Sequence, residues 1–115
     1  MATVTGKIFL KEDPGINQDV SVYVQLLDTS RADAASVKVA EAFYDLVKLR
    51  DLFTNGLQFQ LQVEGIDTRR RYEVNALIDL DHDGKMGKGD YISKQAYPVL
   101  TKGYPNYVEV EVSEI

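Results

Sequence analysis

The stretch from Asp79 to Asp90 carries the residue types and the spacing best suited to chemistry. Its oxygen-bearing side chains stand at loop positions 1, 3, 5 and 12, where Asp81 and Asp83 lie between the two terminal aspartates, and Gly84 occupies position 6. This is the ligand spacing of a calcium loop. Ca²⁺ needs six to eight oxygens, and a glycine without a Cβ lets the chain turn sharply enough to converge them. The sequence therefore predicts a Ca²⁺ site here.

The remaining positions of the loop refine that prediction. Lys85 at position 7 would contribute its backbone carbonyl, and Gly87 at position 9 would leave its place to water. Asp90 at position 12 is shorter than the usual glutamate, so we expect weaker binding. Two alternatives stay open: a polar β-hairpin loop without metal, and another cation such as Mg²⁺. Because strands are expected on both sides of the loop, we predict a structural clamp and not a switch.

Catalysis has little support in the sequence. His82 is the sole histidine, and its place inside the acidic loop predicts an exposed side chain. No nucleophile or orienting partner can be nominated for it, so we expect no enzyme. The arginine run Arg69–Arg71 could bind an anion or a partner, but such a run at a strand start is more typical of a solvated edge that discourages strand addition.

The elements that must position the loop are mostly strands. Residues 57–63 alternate without a break between apolar positions and three glutamines, which indicates a strand with one buried face. Similar patterns predict about seven short strands, at residues 3–10, 20–27, 37–44, 57–63, 71–78, 91–92 continuing into 96–100, and 107–112. Gly6, inside the first of them, suggests a bulge or a close approach of two backbones.

Residues 45–53 are ambiguous. Leu46, Leu49 and Phe53 fit one face of a short helix with Asp45 near its N-terminus. The same residues could form a buried irregular strand, since short apolar runs do not distinguish the two by periodicity.

Each predicted strand has one buried face, so two sheets could bury those faces against each other. We therefore predict an all-β, antiparallel Greek-key β-sandwich of the immunoglobulin or transthyretin type, as a single domain over residues 1–115. A small closed barrel is the alternative.

Composition narrows the classes of partner. The net charge of −5 argues against nucleic acid, because phosphate binding relies on clustered Lys and Arg. The chain contains no cysteine, which excludes disulfides and thiolate zinc sites, and it has no apolar run long enough to span a bilayer. The sequence starts directly in a predicted strand without a signal peptide, so a cytoplasmic location is not excluded.

Three groups of segments, taken in order and spacing, resemble a known family. They are Gln25–Asp28 with Ser30–Ala34 and Val39–Glu41; Ile66 and Asp67 with Arg70–Tyr72 and Ala76; and Tyr97–Thr101 with Gly103 and Val108–Val110. Together they resemble the YscW-like, YbaY-like lipoproteins, which are described as type III secretion lipoprotein chaperones. The resemblance covers roughly residues 3–112, and none of its motifs is catalytic.

The resemblance implies a β-sandwich that faces the periplasm, usually behind a lipoprotein signal. It also implies that some members act as pilotins, which bind the end of a secretin subunit and escort it to the outer membrane. We therefore expect a non-enzymatic, chaperone-like protein with a structural Ca²⁺ and a protein or peptide partner, possibly a secretion-system component.

The alternative is a small-molecule or carbohydrate-binding module that uses tyrosines near the loop: Tyr91, Tyr97, Tyr104 and Tyr107. A flat hydrophobic stripe or an open strand edge would favour the protein partner. A tyrosine-lined groove with convergent polar groups would favour the small ligand.

Overall fold

A computed structural model describes residues 2–31 and 35–115 of the chain. Residues 32–34, which belong to one of the segments that carry the family resemblance, lie outside the described residues. The elements are β1 Ala2–Leu10, β2 Asp19–Asp28, β3 Val37–Lys48, α1 Leu49–Thr54, β4 Leu57–Val63, β5 Tyr72–Asp79, β6 Tyr91–Ser93, β7 Pro98–Val99 and β8 Tyr107–Glu114. Among the described residues, no helix is long and apolar enough to cross a membrane.

Within the described residues, the eight strands belong to one sheet. Its strand order is β3-β2-β5-β6-β8-β1-β4, and β7 pairs with β5 beside this path. Most neighbours are antiparallel, but β1 and β8 run parallel, with Ile8 opposite Val110. The sheet is therefore mixed.

The sheet curls until its two edge strands approach each other. β3 and β4 lie at opposite ends of the strand order, yet the backbone N–H of Gln60 in β4 donates to the hydroxyl of Tyr44 in β3 at 3.2 Å. The result is a nearly closed, barrel-like sheet with the apolar core inside it.

The alternating strand patterns explain which side chains fill this core. Phe59, Leu61 and Val63 of β4 point inward and are almost fully buried, while the glutamines between them are exposed. Gly6 of β1 marks a close approach, as the sequence suggested, because a Cβ there would lie 1.9 Å from the carbonyl oxygen of Val108 and 2.7 Å from the Phe59 ring.

The all-β prediction is confirmed, but the antiparallel Greek-key sandwich is not. The strands form one curled mixed sheet, closer to the barrel alternative. Alternation shows only that each strand has one buried face, and a single sheet that curls on itself satisfies this requirement as well as two stacked sheets do.

The short helix expected near residues 45–53 is present, but its bounds and its buried face need correction. β3 continues through Asp45 to Lys48, and α1 begins only at Leu49, with Leu49 and Leu52 as its buried residues. Leu46 does not join a buried helix face. It has a positive φ of 54° and is 70% exposed, beside an irregularity in the β2–β3 pairing.

The arginine run Arg69–Arg71 does not lie at an edge of the sheet, so it does not serve to discourage strand addition. It precedes β5, which is an interior strand between β2 and β6. Arg70 Nη1 lies 2.7 Å from Asp28 Oδ2, and Arg69 Nη2 lies 3.1 Å from Asp67 Oδ2. These two arginines therefore tie the loop before β5 to the end of β2 and to itself.

Candidate functional site

The acidic loop connects two neighbouring strands at one end of the sheet. Asp79 is the last residue of β5 and is fully buried, and Asp90 immediately precedes β6 and is 4% exposed. Asp81, Asp83 and Lys85 are exposed between them. The loop is thus anchored by two buried carboxylates and carries its other predicted ligands toward solvent.

The two buried carboxylates organise the loop backbone. Asp79 accepts the N–H groups of His82, at 3.1 Å, and Gly84, at 2.9 Å, on its two oxygens. Asp90 accepts those of Leu80, at 2.9 Å, and Gly87, at 3.0 Å. Gly84 adopts a positive φ of 77°, as the sharp turn requires. The glycine and the buried acids therefore give the loop a defined shape.

Three of the five predicted ligands come together. Asp79, Asp81 and Asp83 each offer a carboxylate oxygen, and these oxygens lie within 4.8 Å of one another. Asp90 is not in this cluster, and the Lys85 backbone N–H donates to Asp83 Oδ1 at 2.9 Å. The cluster is a set of hard oxygen donors, which suits Ca²⁺ or Mg²⁺.

The crowding of these carboxylates changes their pKa values. Burial opposes ionisation of Asp79, but hydrogen bonds from the Gly84 N–H and the Asp81 side chain hold its pKa below the usual value. The same hydrogen bond to Asp79, together with partial desolvation and the nearby Asp83, raises the pKa of Asp81. Of the two carboxyl groups, Asp81 therefore loses its proton at the higher pH, because its ionised form is disfavoured beside Asp79 and Asp83.

His82 fixes the loop to the neighbouring strand. The residue is exposed, as expected, and has a positive φ of 57°. Its Nδ1 lies 2.9 Å from Ser21 Oγ and its Nε2 lies 3.1 Å from the Asp19 carbonyl oxygen, both in β2. Ser21 Oγ also donates to Asp45 Oδ1 of β3 at 3.0 Å. The sequence did not predict these contacts.

These three side chains do not form a nucleophilic triad. A triad needs the carboxylate to orient the histidine through its second ring nitrogen. Here Asp45 contacts Ser21 instead, and the second nitrogen of His82 faces a backbone carbonyl. Ser21 is also buried, at 4% exposure. The geometry is that of a structural link between the loop, β2 and β3.

A row of apolar side chains crosses the outer face of the sheet next to this link. In the strand register, Tyr23 of β2 pairs with Phe43 of β3 and Leu77 of β5, and Leu77 pairs with Ile92 of β6. Paired residues share a face of the sheet, so these four form one row, here named the outer stripe. Phe43 is 52% exposed, and the centroids of its ring and that of Tyr23 are 4.9 Å apart.

A polar row runs parallel to the outer stripe. Gln25 Nε2 donates to Glu41 Oε2 at 2.9 Å, Asn75 Nδ2 donates to Gln25 Oε1 at 3.4 Å, and Ser93 Oγ donates to Asn75 Oδ1 at 2.7 Å. These bonds link β3, β2, β5 and β6. They hold the strands that carry the outer stripe in a fixed arrangement.

The tyrosines considered for a small ligand do not converge on one groove. Tyr91, Tyr97 and Tyr104 line three different surface depressions. Tyr97 is mostly buried, and its hydroxyl accepts the backbone N–H of Glu111 at 3.0 Å. Tyr107 is 48% exposed and donates to Glu109 of its own strand. These tyrosines therefore act separately.

The segments that carry the family resemblance meet at the other end of β5. Asp28 accepts both the N–H and the hydroxyl of Ser30 on Oδ1, while its Oδ2 faces Arg70. The Ser30 hydroxyl in turn accepts the N–H of Arg71 at 2.9 Å, and Thr101 Oγ1 donates to the Arg70 carbonyl at 2.5 Å. We name this cluster the Asp28 network. It joins β2, the β4–β5 loop and the segment after β7.

Comparison with known proteins agrees with this architecture. A family model described as "Type III secretion system lipoprotein chaperone (YscW)" matches residues 1–112. The chain belongs to the YscW family. Membership supports a secretion-system chaperone role, and it implies secretion-system proteins as partners and a location at the cell envelope.

A solved structure extends this finding. The YscW-family chain is similar to the "alternative pilotin from the type II secretion system of Vibrio cholerae", with a TM-score of 0.78 and 25% sequence identity. The match covers 99% of this chain and 96% of the pilotin. No curated protein matches the sequence.

Proposed function

We propose that this protein is a periplasmic, pilotin-like chaperone that binds the C-terminal tail of a secretin subunit. The observation that carries the proposal is the outer stripe, an apolar row across four strands in which Phe43 is 52% exposed. Large contiguous apolar patches on soluble proteins mark sites of protein or membrane interaction. Membership of the YscW family and the likeness to a pilotin agree with a protein partner.

A binding measurement tests this proposal directly. The fluorescently labelled C-terminal tail of the secretin from the same organism is titrated with the protein, and anisotropy is recorded. A saturable rise is expected for the native tail and none for a scrambled tail of the same composition. If the native tail does not bind, or binds no better than the scrambled one, the pilotin function is wrong.

We further propose that the acidic loop binds a structural Ca²⁺. The supporting observation is the convergence of one oxygen each from Asp79, Asp81 and Asp83 within 4.8 Å. The Lys85 carbonyl and water would complete the shell. Asp90 lies outside this group of converging oxygens, and it accepts the N–H groups of Leu80 and Gly87, so we assign this side chain to closing the loop and not to the metal. Bound Ca²⁺ would neutralise the cluster and brace β5 against β6.

Calorimetric titration of chelator-treated protein with Ca²⁺, paired with thermal melts, tests the metal site. A ligand at one hundred times its dissociation constant stabilises the folded state by about 2.7 kcal/mol, so a clear rise in Tm is expected. Asp81→Asn should abolish the heat and the rise, whereas Glu64→Gln, an exposed acid away from the loop, should change neither. The absence of both effects at millimolar Ca²⁺ contradicts the proposal, and a larger response to Mg²⁺ reassigns the ion.

A further inference from the structure

We propose that the partner segment binds in an extended conformation, as a strand added to the free edge of β4. The added strand lies in the gap between β3 and β4, here named the seam. It is uncharged, with apolar side chains toward the core and polar side chains toward solvent. This inference rests on the proposed chaperone function and specifies the site and the conformation of its partner.

The seam is not closed by a backbone ladder. β3 and β4 are the two ends of the strand order, and within the described part of the chain no strand pairing joins them. The Tyr44 side chain instead reaches from β3, and its hydroxyl accepts the Gln60 N–H at 3.2 Å. A side chain therefore spans the seam at a point where a paired strand would place its backbone about 4.8 Å away.

The backbone of Gln60 faces the seam. Its partner in β1, Thr5, donates its own N–H to the Asn106 carbonyl oxygen on the far side of β1, at 2.9 Å. The Thr5–Gln60 pair is therefore not a hydrogen-bonded pair of the β1–β4 ladder, and Gln60 points its N–H and C=O away from β1. Because hydrogen-bonded and non-hydrogen-bonded pairs alternate along a strand, Gln58 and Gln62 point theirs to the seam as well.

β4 lacks the usual protection of an edge strand. Such strands commonly carry lysine, proline or a bulge, which prevent the addition of another strand. Leu57–Val63 contains no proline and no charged residue, and its register with β1 is unbroken from Leu57 to Val63. This edge is therefore suited to pairing. A charged side chain in the added strand would find no opposite charge on β4, so an uncharged segment fits it best.

The other wall of the seam leaves the core incompletely covered. None of the twelve residues of β3 is buried, whereas the shorter β4 buries three. Ala40 and Ala42 of β3 pack partly buried against the core, and alanine fills little volume. Apolar side chains of an added strand can therefore be buried beside them. The pairing of β3 with β2 is irregular at two places, so we assign the regular hydrogen bonds of the added strand to β4.

The two faces of β4 determine the sequence pattern of the partner. The glutamines of β4 are exposed on the outer face, and the apolar residues between them are buried. An added strand therefore needs alternating polar and apolar side chains over about five residues, the length of Gln58–Gln62. It lies next to β3, which carries Phe43, so the seam and the outer stripe form one continuous surface.

The first arm of the test removes one backbone donor. The fluorescently labelled secretin tail is titrated with Gln60→Pro, which lacks the N–H that faces the seam, and with Gln60→Thr as the matched control, which keeps it. Gln60→Pro should bind at least about tenfold more weakly, while Gln60→Thr stays within about twofold. Because this N–H does not belong to the β1–β4 ladder, Gln60→Pro should remain folded, and thermal melting checks this.

The second arm has the opposite sign and leaves the backbone intact. An added strand must displace the Tyr44 hydroxyl from the Gln60 N–H. Tyr44→Phe removes this competitor, so the tail should bind about two- to tenfold more tightly, which corresponds to one hydrogen bond. Tyr107→Phe, which removes a hydroxyl that donates to Glu109, should change the affinity by less than about twofold. Unchanged or weaker binding by Tyr44→Phe contradicts strand addition at this edge.

Amide hydrogen exchange separates the docking site from the function. The bound tail should slow exchange at Gln58, Gln60 and Gln62, because their N–H groups enter a ladder. If the tail binds the native protein but these amides stay unprotected and both variants bind like their controls, the docking site is wrong and the chaperone function stands. If the tail does not bind the native protein, both are wrong. If light scattering shows a dimer that Gln60→Pro dissociates, the edge pairs with a second copy of this chain and the proposed partner is wrong.

Discussion

The two ends of β5 both concentrate acidic side chains, but they neutralise them differently. At the Tyr72 end, the Asp28 carboxylate receives hydrogen bonds from Ser30 and an ion pair from Arg70, and its pKa is lowered to about 2. At the Asp79 end, three carboxylates converge, and among the described residues none of the ion pairs involves a member of that cluster.

This contrast separates a self-sufficient network from an incomplete one. The Asp28 network supplies its own cation, so it stabilises the fold with nothing added. In the acidic loop, Asp79 and Asp90 accept hydrogen bonds from backbone N–H groups, but no Lys or Arg of the described residues pairs with the clustered carboxylates. Their charge can therefore be reduced only by a proton or by a cation from solution. The Tyr72 end therefore contributes to stability in the same way with or without added cations, whereas the stability of the Asp79 end should depend on pH and on cations in solution.

The largest effect is expected from breaking the self-sufficient end. Asp28→Ala removes an almost buried carboxylate that accepts three hydrogen bonds, two from Ser30 and one from Arg70. We expect a loss of about 2 kcal/mol in the free energy of unfolding, because hydrogen bonds to charged groups contribute more than neutral ones. Urea denaturation of the native protein and of Asp28→Ala measures this difference in the free energy of unfolding.

Arg69→Ala is the control for this measurement. Arg69 is 88% exposed in its pair with Asp67, and exposed pairs contribute less than about 1 kcal/mol. If Asp28→Ala costs no more than Arg69→Ala, the Asp28 network does not stabilise the fold in the way described here.

A somewhat smaller effect is expected from acid. The folded-state pKa of Asp28, about 2, lies below the value of about 3.9 for an unfolded aspartate, so protons bind the unfolded chain more tightly. The stabilisation is therefore complete above about pH 4 and is lost as the pH falls toward 2. The difference in unfolding free energy between the native protein and Asp28→Asn should shrink over that range. A difference that stays constant from pH 5 to pH 2.5 would contradict the ionised pair.

The sequence predicted the contents of the loop better than its surroundings. The spacing of Asp79, Asp81 and Asp83 sufficed to bring them together, since ligands so close in the chain need only one turn at Gly84. By contrast, the contact between His82 and Ser21 joins residues 61 positions apart, and it depends on β2 lying beside β5. Local spacing cannot show such pairing.

The strands show the same division. Residues 57–63 were predicted with correct bounds because their alternation is unbroken. β3 was predicted too short because Leu46, with its positive φ, interrupts the alternation before Lys48. The outer stripe was not predicted, because Phe43 and Ile92 become neighbours of one row only through the register of four strands. Likewise, the sequence of β1 or of β8 alone does not indicate that these two strands pair in parallel.

The smallest effect is expected from a substitution in the acidic loop, at the Asp79 end of β5. In the presence of a chelator, Asp81→Asn should raise the Tm slightly, because it removes a charge that Asp79 and Asp83 disfavour while the amide can still hydrogen-bond to Asp79. The same substitution should lower the Tm relative to the native protein once millimolar Ca²⁺ is added. This change of sign distinguishes a cation-dependent loop from a self-sufficient one, because Asp28→Asn should be destabilising under both conditions. If Asp81→Asn lowers the Tm equally with and without Ca²⁺, the loop is stabilised by its own hydrogen bonds, and the two ends of β5 do not differ in kind.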